Sequence, residues 1–198
     1  PPRPRFTLAG RGAFLRLIAW NMAHGLALAG TLPYLPVLMD DAGIDAHAFA
    51  WWQSRATLPM QLATTLIAGW ALPRIGSGAV LALAHLALIA ADASFLLLSA
   101  ANRDWLFPLA MAASGAARGL IGIGVLGRMY EIAPPGDTRF PAAYHAAGGL
   151  ACALGALALF PALAALETTI GLSHAPAWYV VAAALTVRVV AAPLTWRR

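Results

Sequence analysis

Three charged residues stand in sequence that is otherwise continuously apolar. Arg118 lies in the run 105–129, with Gly115, Gly119, Gly122 and Gly124 around it. Asp92 lies near the middle of the run 79–101, and Arg188 lies in 177–195. A guanidinium at the centre of a bilayer costs roughly 2.5 kcal/mol or more, so it faces protein or water and takes a partner. Arg118 is thus a candidate for a substrate or proton path; the structural alternative ties it to backbone carbonyls or a neighbouring acid. Asp92 fits a proton-binding acid, or a structural partner of Arg118 or Arg188. Arg55 either snorkels outward or joins Gln53 in contacting an anionic ligand. Asn21 and His24, three apart on one helix face, look into a cavity or onto another helix. His85 reads as a hydrogen-bonded packing residue. There is no metal-ligand cluster, phosphate loop or dinucleotide fingerprint, and Cys152 is the single cysteine, so no metal and no cofactor is expected.

The composition says what must position these groups. Of the 198 residues, 61% are hydrophobic and 11% charged, where an ordinary soluble domain has about a quarter charged. Mean hydropathy is +0.72. The net charge of +5 does not point to nucleic acid, because the basic residues are all Arg and are scattered rather than gathered on one polar face. Six runs are long enough for spans of about 20 residues: 13–39, 48–72, 79–101, 105–129, 140–166 and 177–195. They are long and continuously apolar, so they read as helices rather than outer-membrane strands. The fold class is therefore an all-α integral membrane protein with six transmembrane helices in one domain, 13–198. Residues 1–12 form a Pro- and Arg-rich leader or linker without the apolar core of a signal peptide, and the chain is expected to begin mid-protein or after processing.

Arginine placement sets the orientation. With the N-terminus cytoplasmic, Arg3, Arg5, Arg11, Arg16, Arg74, Arg128, Arg139, Arg197 and Arg198 fall on or near that side. Asp40, Asp41, Asp45, Asp104 and Glu167 fall on the other, so both termini are cytoplasmic. Trp51, Trp52, Trp105 and Trp178 lie near the outer ends, as an aromatic belt requires.

Three stretches carry a family resemblance. Gly69-Trp-Ala-Leu-Pro-Arg74-Ile-Gly76 is similar to the G-x-x-x-D-R-x-G-R-R turn of the major facilitator superfamily; the acidic position is Pro73 and the trailing basic pair is Ser77-Gly78. Arg118-Gly-Leu-Ile-Gly122-Ile-Gly124 is similar to that family's R-x-x-x-G-x-G motif, which is associated with proton coupling. The hinge 133–139, followed by Gly148, Gly149 and Gly155, resembles the join of its fourth and fifth helices. The chain thus resembles one six-helix half of such a transporter, more the C-terminal half. The resemblance implies a secondary active transporter, whole or as a fragment, that moves a small solute by alternating access, with a proton as candidate coupling ion. It implies a second six-helix half as partner, in the same chain, as a homodimer or as a separate subunit. Arg118, Asp92, Arg55, Asn21 and His24 become candidates for the substrate and proton pathway. Gly69, Arg74, Gly76, Gly122 and Gly124 become the conformational motifs.

Two other readings compete. Ala113-Ser114-Gly115 with His145-Ala-Ala-Gly-Gly149 resembles the serine and histidine motifs of rhomboid intramembrane proteases. Such a dyad needs hydrogen-bond contact, and helix geometry sets the two side chains roughly a dozen ångströms apart in depth, so no enzyme activity is expected. The second is a non-catalytic accessory or scaffold subunit of a larger membrane complex, consistent with the degenerate turn after the second run. The Arg- and Ala-rich composition suggests a GC-rich bacterium and its cytoplasmic (inner) membrane, with the lipid bilayer as surroundings.

Overall fold

The structure, a computed structural model, describes residues 8–133, 139–170 and 176–196. It is helical throughout, with no strand among the described residues. The elements are α1 (Leu8–Thr31), α2 (Leu35–Asp41), α3 (Ala46–Trp52), a π-helical turn (Gln53–Thr57), α4 (Leu58–Leu96), α5 (Arg103–Ile132), α6 (Arg139–Ile170), α7 (Pro176–Ala191) and the short α8 (Pro193–Trp196). Residues 1–7 of the leader, 134–138 of the hinge, 171–175 of the loop after the fifth run and the terminal Arg197 and Arg198 lie outside the described residues.

Prolines and glycines mark where the helices change course. α1 and α2 are bent by 41° across residues 32–34, and Pro36 stands in the first turn of α2, where its missing N–H leaves no bond unmade. Asp45 caps α3 by accepting from the Ala48 N–H at 2.7 Å. The π turn ends two residues before Pro59. A proline cannot bond back and crowds the carbonyl four residues earlier, and the wider turn absorbs this, with the Leu58 N–H reaching Gln53 O.

α4 is two helical limbs meeting in the stretch 73–78, where the sequence suggests a tight turn: Gly76 has the non-helical angles φ 80° and ψ 159°, and the Ser77 N–H turns to Glu131. That backbone region is essentially reserved for glycine, and the chain reverses there. Before the break, contacts with α5 run in the same sense: Thr57 against Gly115, Gln61 and Thr64 against Gly119, Leu72 against Gly127. After it they run in the opposite sense: Ser77 bonds Glu131, Leu81 packs on Gly124, and Phe95 meets Phe107 edge-on at 6.4 Å. The first limb (46–75) is therefore parallel to α5 and the second limb (77–96) antiparallel to it.

The other half of the bundle is built alike. α1 and α6 run parallel, from Phe14 on Phe140 through Gly25 against Gly148 to Ala29 against Gly155. α7 is antiparallel to α1, with Gly30 against Val180 and Ala184. It is also antiparallel to the second limb, with the Trp178 indole donating to Leu96 O at 3.2 Å. Small residues let the parallel pairs approach closely in both places.

Among the described residues, four helices are long and apolar enough to cross a membrane: Ala46–Leu96, Arg103–Ile132, Arg139–Ala158 and Ala177–Thr195. The bent pair Gly12–Thr31 with Leu35–Asp41 makes a fifth. One apolar cluster, with Met39, Ile44, Phe95, Phe107 and Met111, packs one end of the bundle. Another, with Leu17, Trp20, Leu81, Val125, Met129 and Tyr144, packs the end near Gly76.

Candidate functional site

Between the two apolar clusters the second limb carries a buried stripe at Leu81, His85, Leu88, Asp92 and Phe95. The alternating steps of four and three keep these positions on one helix face. His85 and Asp92 are thereby held in the interior, where an unpaired polar group is costly. Each is fully engaged. The Arg188 Nε–H donates to Asp92 Oδ2 at 2.5 Å, with Arg188 2% and Asp92 6% exposed. Arg188 also donates through a terminal guanidinium nitrogen to His24 Nδ1 at 2.8 Å. His85 Nε2 donates to Arg188 O at 2.6 Å, and Trp20 Nε1 donates to His85 Nδ1 at 3.1 Å. Trp20 then stacks on His24 with ring centroids 5.5 Å apart and 2° between planes. The contacts close a ring, Trp20–His85–Arg188–His24, that binds α1, the second limb and α7 together. The carbonyl accepts from one nitrogen of His85 and the indole donates to the other, which fixes its tautomer.

Of the two partners the sequence allows Asp92, the structure brings in Arg188 and leaves Arg118 out. Asn21, buried, donates Nδ2 to Tyr144 O at 2.6 Å. It and His24 share a face of α1 and meet α6 and α7. The sequence signal for His85 and Arg188 was their presence in apolar runs; for Trp20 and Tyr144, ordinary apolar residues by composition, there was none.

Arg118 is exposed on α5. Among the described residues no hydrogen bond or ion pair engages it, whereas three other arginines of the apolar helices, Arg128, Arg55 and Arg74, are occupied. Arg128 bonds Glu131 at 2.8 Å, and Glu131 in turn accepts from Ser77 Oγ at 2.7 Å. Arg55 stacks on the Trp51 ring at 3.6 Å. Arg74 stacks on the Trp70 ring at 3.9 Å and donates to Trp70 O. Arg118 lines a cavity of ≈ 600 Å³ with Ser114 and Met111 of α5, Gln53 of the π turn, and Asp40 and Asp45 at the end near α2 and α3. The π turn aims Gln53 into this cavity while Thr57, at its end, donates to Met111 O at 3.0 Å and holds the turn to α5. A second cavity, of ≈ 610 Å³, opens beside the Gly76 break, with Ser77, Arg128, Glu131 and Thr195 in its wall.

The glycines divide. A Cβ on Gly115, Gly119 or Gly124 would meet the first or second limb of α4, and one on Gly155 would meet α1. Gly69, Gly122 and Gly149 face open space, with nothing within 4 Å of an added Cβ among the described residues. Ser114 and His145 are not joined: Ser114 lines the Arg118 cavity, while His145 is exposed on α6 beside the Tyr144 ring. Among the described residues no group of three metal-ligating side chains is close enough to hold an ion.

Comparison of the chain with protein-family models, with characterised proteins and with solved structures gives no match, so the site rests on its own geometry.

Proposed function

We propose that this chain is one six-span half of a secondary transporter of the major facilitator type, moving a small solute by alternating access against a second half. The observation that carries the reading is Arg118: an exposed guanidinium without a partner among the described residues, midway along an apolar helix. Lipid is the one surrounding such a group does not tolerate, so its face belongs to water or to another protein. The open glycine Gly122, one turn further along, extends that face.

Two features of the bundle support the reading. The helical stretch Ala46–Leu96 has 51 residues, roughly 77 Å at 1.5 Å per residue, more than twice a hydrocarbon core of about 30 Å. Taken as two passes about Gly76, and with the bent pair as one, it brings the spans to six. The pairings also repeat: α1 is parallel to α6 and antiparallel to α7, and α5 is parallel to the first limb and antiparallel to the second. Exchanging α1 with α5, the first limb with α6 and the second limb with α7 reproduces the pattern, which is that of two inverted three-helix repeats. The distribution of basic residues supports a cytoplasmic side for both ends of the bundle.

Native mass in lipid nanodiscs, with every co-purifying chain identified, tests the proposal. A second six-helix half, or a homodimer, is expected. Unrelated membrane subunits in fixed ratio would instead make this an accessory subunit whose Arg118 face docks onto them.

A further inference from the structure

We infer that the Arg118 cavity is a binding site for a small organic monoanion with an apolar body, its anionic head on Arg118 and hydrogen-bonded by Gln53 and Ser114. The inference rests on the transporter reading and names the solute class. The cavity is ≈ 600 Å³, within the range that holds a drug-sized ligand. Its wall is mainly apolar, with buried Met39, Ile44, Phe95 and Met111, which suits an aromatic or branched aliphatic body. The polar groups are few and divided. Arg118, Gln53 and Ser114 supply a fixed cation and two neutral donors from α5 and the π turn. A guanidinium presents its N–H groups as a fork that matches a carboxylate in two parallel bonds, and no protein group uses that fork among the described residues.

The two carboxylates of the lining, Asp40 and Asp45, are exposed, and Asp45 already accepts from Ala48 N–H. They belong to the part of the lining that α2 and α3 supply. From Asp45 to Gln53 is eight residues of helix, roughly 12 Å. A second negative charge on the ligand would meet these carboxylates, so a single anionic head is favoured. The π turn that accommodates Pro59 also carries the cavity's amide, and such turns occur often where a helix serves a binding site.

The test uses three ligands of one shape: 1-naphthoate, 1-naphthylmethylammonium and 1-naphthylmethanol, titrated by their own fluorescence into the purified chain in neutral-lipid nanodiscs. Saturable binding of the naphthoate at least tenfold tighter than the other two is expected. Arg118→Gln should abolish that preference, while Arg118→Lys, which keeps the charge but not the fork, retains part of it. Equal binding of all three, tighter binding of the ammonium, or undiminished naphthoate binding by Arg118→Gln would overturn the inference. The charge series on the unmodified chain decides the matter even if a variant fails to fold. Nanodiscs containing phosphatidylglycerol separate a dissolved solute from a lipid headgroup: unchanged naphthoate affinity is expected, and competitive loss would assign the site to lipid. Binding is read on this chain alone, so a failed search for a second half leaves the result standing, and failed binding leaves the two-half reading standing.

Discussion

Arg188 and Asp92 are joined at 2.5 Å in the bundle interior, 96 residues apart in sequence. The pair ties α7 to the second limb of α4, and His24 adds α1 through the same guanidinium. Removing one partner of a buried pair leaves an uncompensated charge, at a cost of about 3–5 kcal/mol, whereas replacing both with apolar residues is far milder. Arg188→Met alone should therefore lower the melting temperature sharply in detergent. Arg188→Met with Asp92→Leu should recover most of the loss. Equal destabilisation by the single and double variants would show that the pair is not coupled.

The two kinds of glycine on α5 give a second contrast. A methyl group on Gly115 would collide with the Thr57 backbone, which has no side-chain freedom with which to yield. Gly115→Ala should cost about 1–3 kcal/mol, as overpacking does. Gly122→Ala meets nothing and should stabilise the helix by up to about 1 kcal/mol through propensity alone. Thermal unfolding of the two variants side by side is the measurement, and a reversed order would contradict the parallel packing of α5 on the first limb.

Gly76 offers a third. Its φ of 80° with ψ of 159° is strained for any residue with a Cβ, at about 1–3 kcal/mol. Nothing lies within 4 Å of the added methyl, so Gly76→Ala should destabilise through backbone strain alone. Gly78→Ala, two residues on, meets only an ordinary contact with Thr195 O and serves as the control. Similar unfolding temperatures for the two would count against the reversal at Gly76.

The helical character of the chain was legible because its runs are too long and too evenly apolar for strands. The buried stripe of the second limb, Leu81, His85, Leu88, Asp92 and Phe95, was not, because leucines stand on every face of that run and Leu83 and Leu86 are exposed. Which arginine meets Asp92 was not, because Arg118 and Arg188 both stand in apolar helices and only the placement of α7 separates them. The glycines show the same limit. Gly115 and Gly122 read alike in sequence, since each withholds a side chain, and only the fold tells a close contact from an open face. At 73–78 the composition marks a turn but not its form, a single non-helical residue, Gly76, joining two helical limbs.

The exposed face of α5 around Arg118 is the centre of the account, and aqueous thiol labelling in native membranes tests it most directly. In a Cys152→Ala background, cysteine would be placed at Gly122, one turn from Arg118, and at Leu109, exposed and about 180° away on the same helix. On the transporter reading a membrane-impermeant reagent should modify Gly122→Cys, on the Arg118 face turned to water, and leave Leu109→Cys, on the opposite side turned to lipid, unreacted. Protection at Gly122 with labelling at Leu109 would place Arg118 against lipid or within a sealed protein contact, and the transporter reading would fall.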